Sequence, residues 1–342
     1  MDRRRGRIWM GFRFFKRVQV IPGVTLNFSK SGVSTSFGPK GLKYTTGKGG
    51  SRFTAGIPGT GIYYTSRSKG GKNHKSVPVS VNTLSMGFFQ QLSLSPDEKI
   101  LMQGLEKLSQ GDTIRATTIF KSSTATDCCF MSGFLALGRG DYIEAEKYLN
   151  RINKAQLGHM AHKIGGDYEL LLDITEYIEA PIEIDLRGLG LCLAEALQGQ
   201  NKYAQAVDTI NKVWNSNVQD KVICLSLVEL VVMSENASSQ ELKDIVKMTR
   251  DIENDEPIDT NILYLRAYAL YQLNLLEAAI SQLTAINRRT KNRPEGLMLD
   301  IKYLRGQMYE ENGQLAKAKK DYQDIYLKNP DYSDVMRKLN LN

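Results

Sequence analysis

Three groups of residues in this 342-residue chain have types and spacings that suggest chemistry. Gly41, Gly47, Lys48 and Gly49 sit in an acid-free stretch, SKSGVSTSFGPKGLKYTTGKGG at 29–50, with the composition of a phosphate-binding loop. His159 and His162 stand three apart in HMAH and could offer two imidazoles from one helix face to a metal. Glu144 with Glu146, and Glu310 with Glu311, are carboxylate pairs of the kind that general acid–base catalysis uses. Each fails on spacing or company. A phosphate loop of the G-x-x-x-x-G-K-[ST] kind leads from a strand into a helix, but here five residues separate Gly41 from Gly47, Gly49 stands where Ser or Thr is required, and the next segment is β-prone. HMAH lacks the glutamate and the i, i+4 spacing of a zinc-protease helix. The acid pairs read as solvated helix faces, and with three histidines in the chain no nucleophile, base and orienting group converge. The expectation is a non-enzymatic protein with no catalytic residue, no cofactor and no metal.

The glycine stretch reads instead as a ladder of short strands. VTLNF at 24–28, VSTSF at 33–37, LKYTT at 42–46, SRFTA at 51–55 and IYYTS at 62–66 are joined by SKSG, GPKG, GKGG and GIPGTG. Glycine supplies the positive φ that tight hairpin turns need. Val24, Leu26 and Phe28, then Val33 and Phe37, then Leu42 and Tyr44 alternate with polar neighbours, which predicts a sheet with one apolar face.

MGFRFFKRVQVIPGVTLNFSKSGVSTSFGPKG at 10–41 and GIPGTGIYYT at 56–65 resemble the bacterial N-terminal domain-of-unknown-function family 4236, with its Gly-Phe-Arg-Phe block, Ser-Lys-Ser-Gly and Pro-Gly-Thr-Gly turn. The resemblance covers about the first 65 residues and implies no biochemical activity. Members of that family open at the methionine of the first block, so residues 1–9 read either as an extension or as a start displaced from Met10.

After a basic Ser/Gly-rich linker carrying an apolar patch at Met86, Phe88 and Phe89, the apolar period becomes helical. Gly306, Tyr309, Gly313, Ala318, Tyr322, Ile325 and Pro330 stand at the packing positions of a tetratricopeptide repeat. The same frame fits Ala267, Leu270, Asn274, Ala279, Leu283 and Ile286, and also Ala194, Leu197, Asn201, Ala206, Ile210 and Val213. Upstream it fits Gly133, Gly140, Ala145, Leu149 and Ile152, then Gly104, Gly111, Ala116 and Phe120. The gap between Ala194 and Ala267 leaves room for one weakly patterned pair at about 219–253. The fold class expected is α+β and mostly α. A small antiparallel β-rich N-terminal module at 1–66 and a linker at 67–96 precede a tetratricopeptide-type α-solenoid at 97–342. The solenoid has about six helix pairs, an insertion near 154–184 and a short closing helix at 331–340.

Stacked helix pairs present their first helices along one concave surface, which is where a protein segment binds. The repeat frame places Tyr264, Tyr268 and Tyr271 of the fifth pair there, with Tyr303, Gln307, Glu310 and Glu311 of the sixth. These rings either meet a partner or pack within the superhelix. Chaperone-binding repeats clamp a terminal carboxylate with lysine and asparagine at such positions; tyrosine and glutamate here argue against that ligand.

Charge divides the chain. Residues 1–80 hold 16 Lys/Arg and one acid, a net +15, and the remainder is −7. Arg3, Arg4, Arg5, Arg7, Arg13, Lys16 and Arg17, interleaved with Trp9, Phe12, Phe14 and Phe15, form a basic patch suited to nucleic acid or an anionic membrane; alternately, Phe12 and Phe14 flank Arg13 as in one more strand. The favoured reading is a protein–protein interaction or assembly scaffold: the groove takes a partner segment and the basic module self-associates. A nucleic-acid or membrane adaptor is the alternative. Cys128, Cys129, Cys192 and Cys224 have neither metal-like nor C-x-x-C spacing, so reduced thiols and a cytoplasmic location are expected.

Overall fold

The computed structural model describes residues 15–21, 24–29, 32–37, 42–47, 50–56, 63–68, 94–164, 170–214 and 220–341. Arg3, Arg4, Arg5, Arg7, Arg13 and the linker patch at Met86, Phe88 and Phe89 lie outside the described residues. In the first part of the chain the backbone runs as strands β1 (Phe15–Ile21), β2 (Val24–Ser29), β3 (Gly32–Phe37), β4 (Leu42–Gly47), β5 (Gly50–Gly56) and β6 (Tyr63–Ser68). Each is antiparallel to the next, with Val24 opposite Phe37, Leu26 opposite Thr35 and Phe28 opposite Val33.

Most of the described chain is helical, and its helix starts are written in the sequence as N-caps. Before α1 (Pro96–Ser109), the Ser95 hydroxyl accepts from the Glu98 amide at 3.3 Å, and the Glu98 carboxylate accepts from the Ser95 amide at 2.8 Å. That reciprocal cap satisfies two amides that the helix leaves without partners, and Pro96 needs no amide partner in the first turn. Asp112 caps α2 (Thr113–Lys121). Next come α3 (Thr126–Arg139) and α4 (Tyr142–Leu149), the second capped by Asp141. Then α5 (His159–Ile164) leads into a hairpin of β7 (Leu170–Asp173) and β8 (Glu179–Ile182), in which Leu170 pairs with Ile182 and Asp173 with Glu179. The array resumes with α6 (Leu186–Gln198), α7 (Tyr203–Trp214), α8 (Lys221–Met233), α9 (Ser239–Met248), α10 (Pro257–Gln272), α11 (Leu276–Ile286), α12 (Glu295–Glu311), α13 (Leu315–Tyr326) and α14 (Val335–Lys338).

Among the described residues consecutive helices pack as six pairs: α1–α2, α3–α4, α6–α7, α8–α9, α10–α11 and α12–α13. The turn between the two helices of a pair demands a left-handed residue. Gly111, Gly140, Asn201, Asn274 and Gly313 occupy that place with φ between 60° and 77° in five of the six pairs. Glycine pays no steric penalty there and asparagine a small one, which is why the frame shows those two residue types. The sixth turn, between α8 and α9, runs through Ser234–Ser238 and a serine cap instead, and α8 holds no glycine or alanine at all. That is the physical reason its pattern is faint. Within a pair, small residues let the axes approach: a Cβ on Gly306 would stand 2.7 Å from the Tyr322 ring.

One contiguous apolar core runs from Leu94 to Val335 through every pair. A buried ion pair, Arg305 to Asp321 at 2.6 and 2.8 Å, ties α12 to α13. The inserted segment is tied down at its base. Asp127, fully buried on α3, accepts from the amides of Gly158 at 2.8 Å and Ala161 at 2.9 Å, and Lys163 bridges to Glu98 at 2.8 Å. At the other end Arg187 donates to the Pro181 carbonyl at 3.0 Å and pairs with Asp220 at 2.6 Å. Strand β1 passes beside β7.

Candidate binding groove

The hairpin tip, Thr175 to Tyr177, is closed by local bonds: the Ile174 and Thr175 amides donate to the Ile178 carbonyl at 2.9 and 3.3 Å, and the Tyr177 amide donates to Thr175 Oγ1 at 3.3 Å. From that tip the Tyr177 side chain reaches α12, the first helix of the pair three further along than α6–α7, which follows the insertion. Its phenol donates to Asp300 Oδ2, while the phenol of Tyr332, from the segment before α14, donates to Asp300 Oδ1. A Cβ on Gly296 would stand 2.9 Å from Tyr177 Cε1, so the ring lies against bare helix backbone. Burial pushes the Asp300 carboxyl up to about 6, an effect the Tyr177 hydrogen bond opposes. Burial likewise pushes the Tyr177 phenol up, reinforced by the charge of Asp300.

Of the residues that the repeat frame places in the groove, Tyr264 is 4% exposed. Burial raises its phenol well above the usual value, and Asp300 and Glu176 are the charges that add to the effect. Tyr268 and Tyr271 are half-buried, with ring centroids 6.2 Å apart, and the Tyr271 phenol donates to Glu311 at 2.7 Å, linking α10 to α12. Tyr303 and Glu310 meet the C-terminal segment around α14. The Tyr303 phenol donates to Asp334 at 2.6 Å, its ring stands 5.7 Å from Tyr332, and Glu310 pairs with Lys338. Gln307 Oε1 is buried and accepts no hydrogen bond. Lys16 and Arg17 stand on β1, opposite Phe28 and Asn27.

The other candidates resolve as structure. Glu144 is held below the usual carboxylate range by Lys121 and Arg139, against the effect of burial, and Glu146 by Lys202 and Gln200. His159 and His162 lie on α5, and no cluster of three His, Cys, Asp or Glu that could hold a metal occurs among the described residues. The four cysteines are free and buried, and burial pushes the Cys128 and Cys224 thiols up to about 12. Among the described residues no helix is long and apolar enough to cross a membrane.

Sequence reasoning missed Tyr177, Asp300 and Tyr332. The available signals were the long step between the second and third framed units and an acid, Asp300, set among Leu297, Leu299, Ile301 and Leu304. Neither signal names the partner, because the contact spans 123 positions.

Comparison with solved structures places the helical array among known folds. The N-terminal domain of the EccA1 ATPase from the ESX-1 secretion system of Mycobacterium tuberculosis is 12% identical, with a TM-score of 0.52 over 74% of this chain and 90% of that one. A tetratricopeptide repeat protein from Parabacteroides merdae is 14% identical, with a TM-score of 0.41 over 74% of this chain and 87% of its own. The structure of Naa15/Naa10 bound to HypK-THB is 15% identical, with a TM-score of 0.36 over 71% of this chain and 33% of that one. No curated protein matches the chain. Residues 12–65 match the family model described as protein of unknown function (DUF4236), so the chain sets a segment of that family ahead of a mostly helical array of tetratricopeptide-like fold.

Proposed function

We propose that this chain is a non-enzymatic protein–protein interaction scaffold whose groove, on α10 and α12, binds a protein segment. One observation carries the reading: the 175–177 tip of the same chain already lies against α12, through a half-buried tyrosine bonded to a carboxylate. Tyr268, Tyr271 and Glu311 extend the same face, offering aromatic area at low entropic cost beside an acid. Tyr264, Tyr303, Gln307 and Glu310 contribute as the walls that fix it. The β-rich N-terminal segment, bearing Lys16 and Arg17, serves in association with the acidic array of the same or another copy, and free buried thiols suit a reducing compartment such as the cytoplasm.

The test is photocrosslinking in cells with a photoreactive amino acid in place of Tyr268, compared with one in place of Lys319 on the outer helix α13. Discrete protein adducts from position 268, absent from 319, are expected. Equal yields from both, or none from 268, overturn the reading.

A further inference from the structure

The inserted hairpin has two edges, and they are unlike. On β8, Pro181 has no amide to offer an added strand, and its carbonyl already accepts from Arg187 at 3.0 Å. Glu179, Pro181 and Glu183 are exposed along β8 and just beyond it. Proline and charge are what keep a sheet edge from pairing, so the β8 edge is closed. The β7 edge is the reverse: Leu170, Leu171 and Leu172 run without proline or charge as far as Asp173.

Strand β1 lies on that second side. Cα atoms of β1 and β7 stand within 8 Å of one another, and β1 comes equally close to α1 and α3, the helices that hold the base of the insertion through Glu98 and Asp127. The six-stranded meander and the hairpin are separate sheets laid side by side, with β1 the end strand of the first. Charge follows the same division. Residues 164–186 hold seven acids and no lysine or arginine, which equals the whole −7 of residues 81–342. Residues 3–80 hold no acid, and β1 brings Lys16 and Arg17. The acidic excess of the body is thus concentrated in the element that the basic segment meets.

We infer that the insertion is the array's docking site for the chain's own N-terminal segment, with β1 seated along β7 and the opposite charges of hairpin and segment adding a salt-dependent attraction. The inference rests on the association reading above and narrows it to one element of the array and to the same copy of the chain. It gives the departure from the repeat period a physical reason: helix pairs alone offer no strand edge, and a meander of short strands needs its end strand covered. Because β1 carries two of the 16 cations of residues 1–80, docking leaves the other 14 for contacts between copies.

The experiment places a photoreactive amino acid in the full chain at Val18 and, because neighbouring strand positions face opposite ways, separately at Gln19. Adducts are separated by denaturing electrophoresis and mapped by mass spectrometry. From at least one position the main adduct should reach residues 170–182 and run at monomer mass. Lys16→Glu with Arg17→Glu should lower its yield at least fivefold, and high salt should lower it at least twofold; a yield that neither moves overturns the inference. Adducts to 170–182 at dimer mass would mean that the hairpin serves a second copy, which overturns the assignment to the same chain. Adducts confined to other parts of the helical array would reject the hairpin as the site and leave association with the array standing, whereas adducts to none of the array would reject both. Should the doubly reversed chain fail to fold, Glu179→Lys at an exposed position should still lower the yield at least twofold, and an unchanged yield there overturns the inference.

Discussion

Tyr177 and Asp300, 123 positions apart, meet phenol to carboxylate across the groove, and the carboxylate they share with Tyr332 is partly buried at the start of the last helix pair. Burial makes this half-buried acid costly to ionise, the Tyr177 hydroxyl opposes that effect, and the following expectation comes from that balance.

Stability should carry a signature of Asp300. Its carboxyl is raised from 3.8 to about 6, so between those values the folded state binds more protons than the unfolded state. The unfolding free energy contributed by this group therefore falls as pH rises from about 4 to 6, by on the order of 2 kcal/mol. Tyr177 and Tyr264 couple to its charge, and burial raises both phenols above their usual value, away from that window. Other carboxylates, among them Glu98 and Asp220, are lowered and push the opposite way, so the comparison is with Asp300→Asn. Urea unfolding at pH 4 and pH 6.5 should show the variant gaining on the wild type as pH rises; parallel profiles would refute it.

Two neighbouring tyrosines should behave differently. Tyr264→Ala removes a ring that is 4% exposed and should cost about 3–5 kcal/mol. Tyr268→Ala removes a half-buried ring and should cost about 1–2 kcal/mol. Denaturant midpoints for the two variants decide it, and similar losses would mean that the two rings do not divide into wall and contact surface.

Substitutions in the last repeat separate backbone conformation from packing. Gly313 has φ 74° with nothing within 4 Å of an added Cβ, so Gly313→Ala should cost only the left-handed penalty, about 1 kcal/mol. Gly306→Ala drives a methyl to within 2.7 Å of the Tyr322 ring and should cost more, about 2–3 kcal/mol. Thermal unfolding should rank them in that order.

Ion pairs should matter according to burial. Asp321→Ala strands the Arg305 guanidinium inside the last pair, with an expected loss of about 3–5 kcal/mol. Asp208→Ala breaks the Lys212 pair, whose side chains are 71% and 66% exposed, and should change stability by less than about 0.5 kcal/mol. Equal effects in chemical unfolding would contradict this.

Association should follow the charge division. With +15 on residues 1–80 and −7 on the rest, the full chain should sediment as larger species at low ionic strength than at moderate salt. A chain lacking residues 1–80 should remain at constant mass in both conditions. Identical, concentration-independent masses for both chains would remove assembly from the role of the N-terminal segment.

The local content of the array was legible in the sequence because each element of a repeat depends on neighbours within about one repeat length. Gly306 and Tyr322 lie one helical hairpin apart, and Gly111, Gly140, Asn201, Asn274 and Gly313 mark turns whose φ any single unit requires. The α8–α9 pair was faint for an equally local reason, since α8 packs Ile223, Leu227, Val228 and Val231 without a glycine or alanine and turns through serine. The same locality explains why the first-helix tyrosines could be placed on a face but not assigned a state. Tyr264 is buried and Tyr268 half-buried on the same helix, and the insertion that carries 170–182 is anchored at Asp127, Glu98 and Arg187, dispersed over three helices. Sequence determined the repeats, their turns and the uneven charge, all of which act over short distances along the chain. Only the tertiary structure decided that Tyr177 meets Asp300, because a hydrogen bond between distant segments leaves no period in the sequence to read.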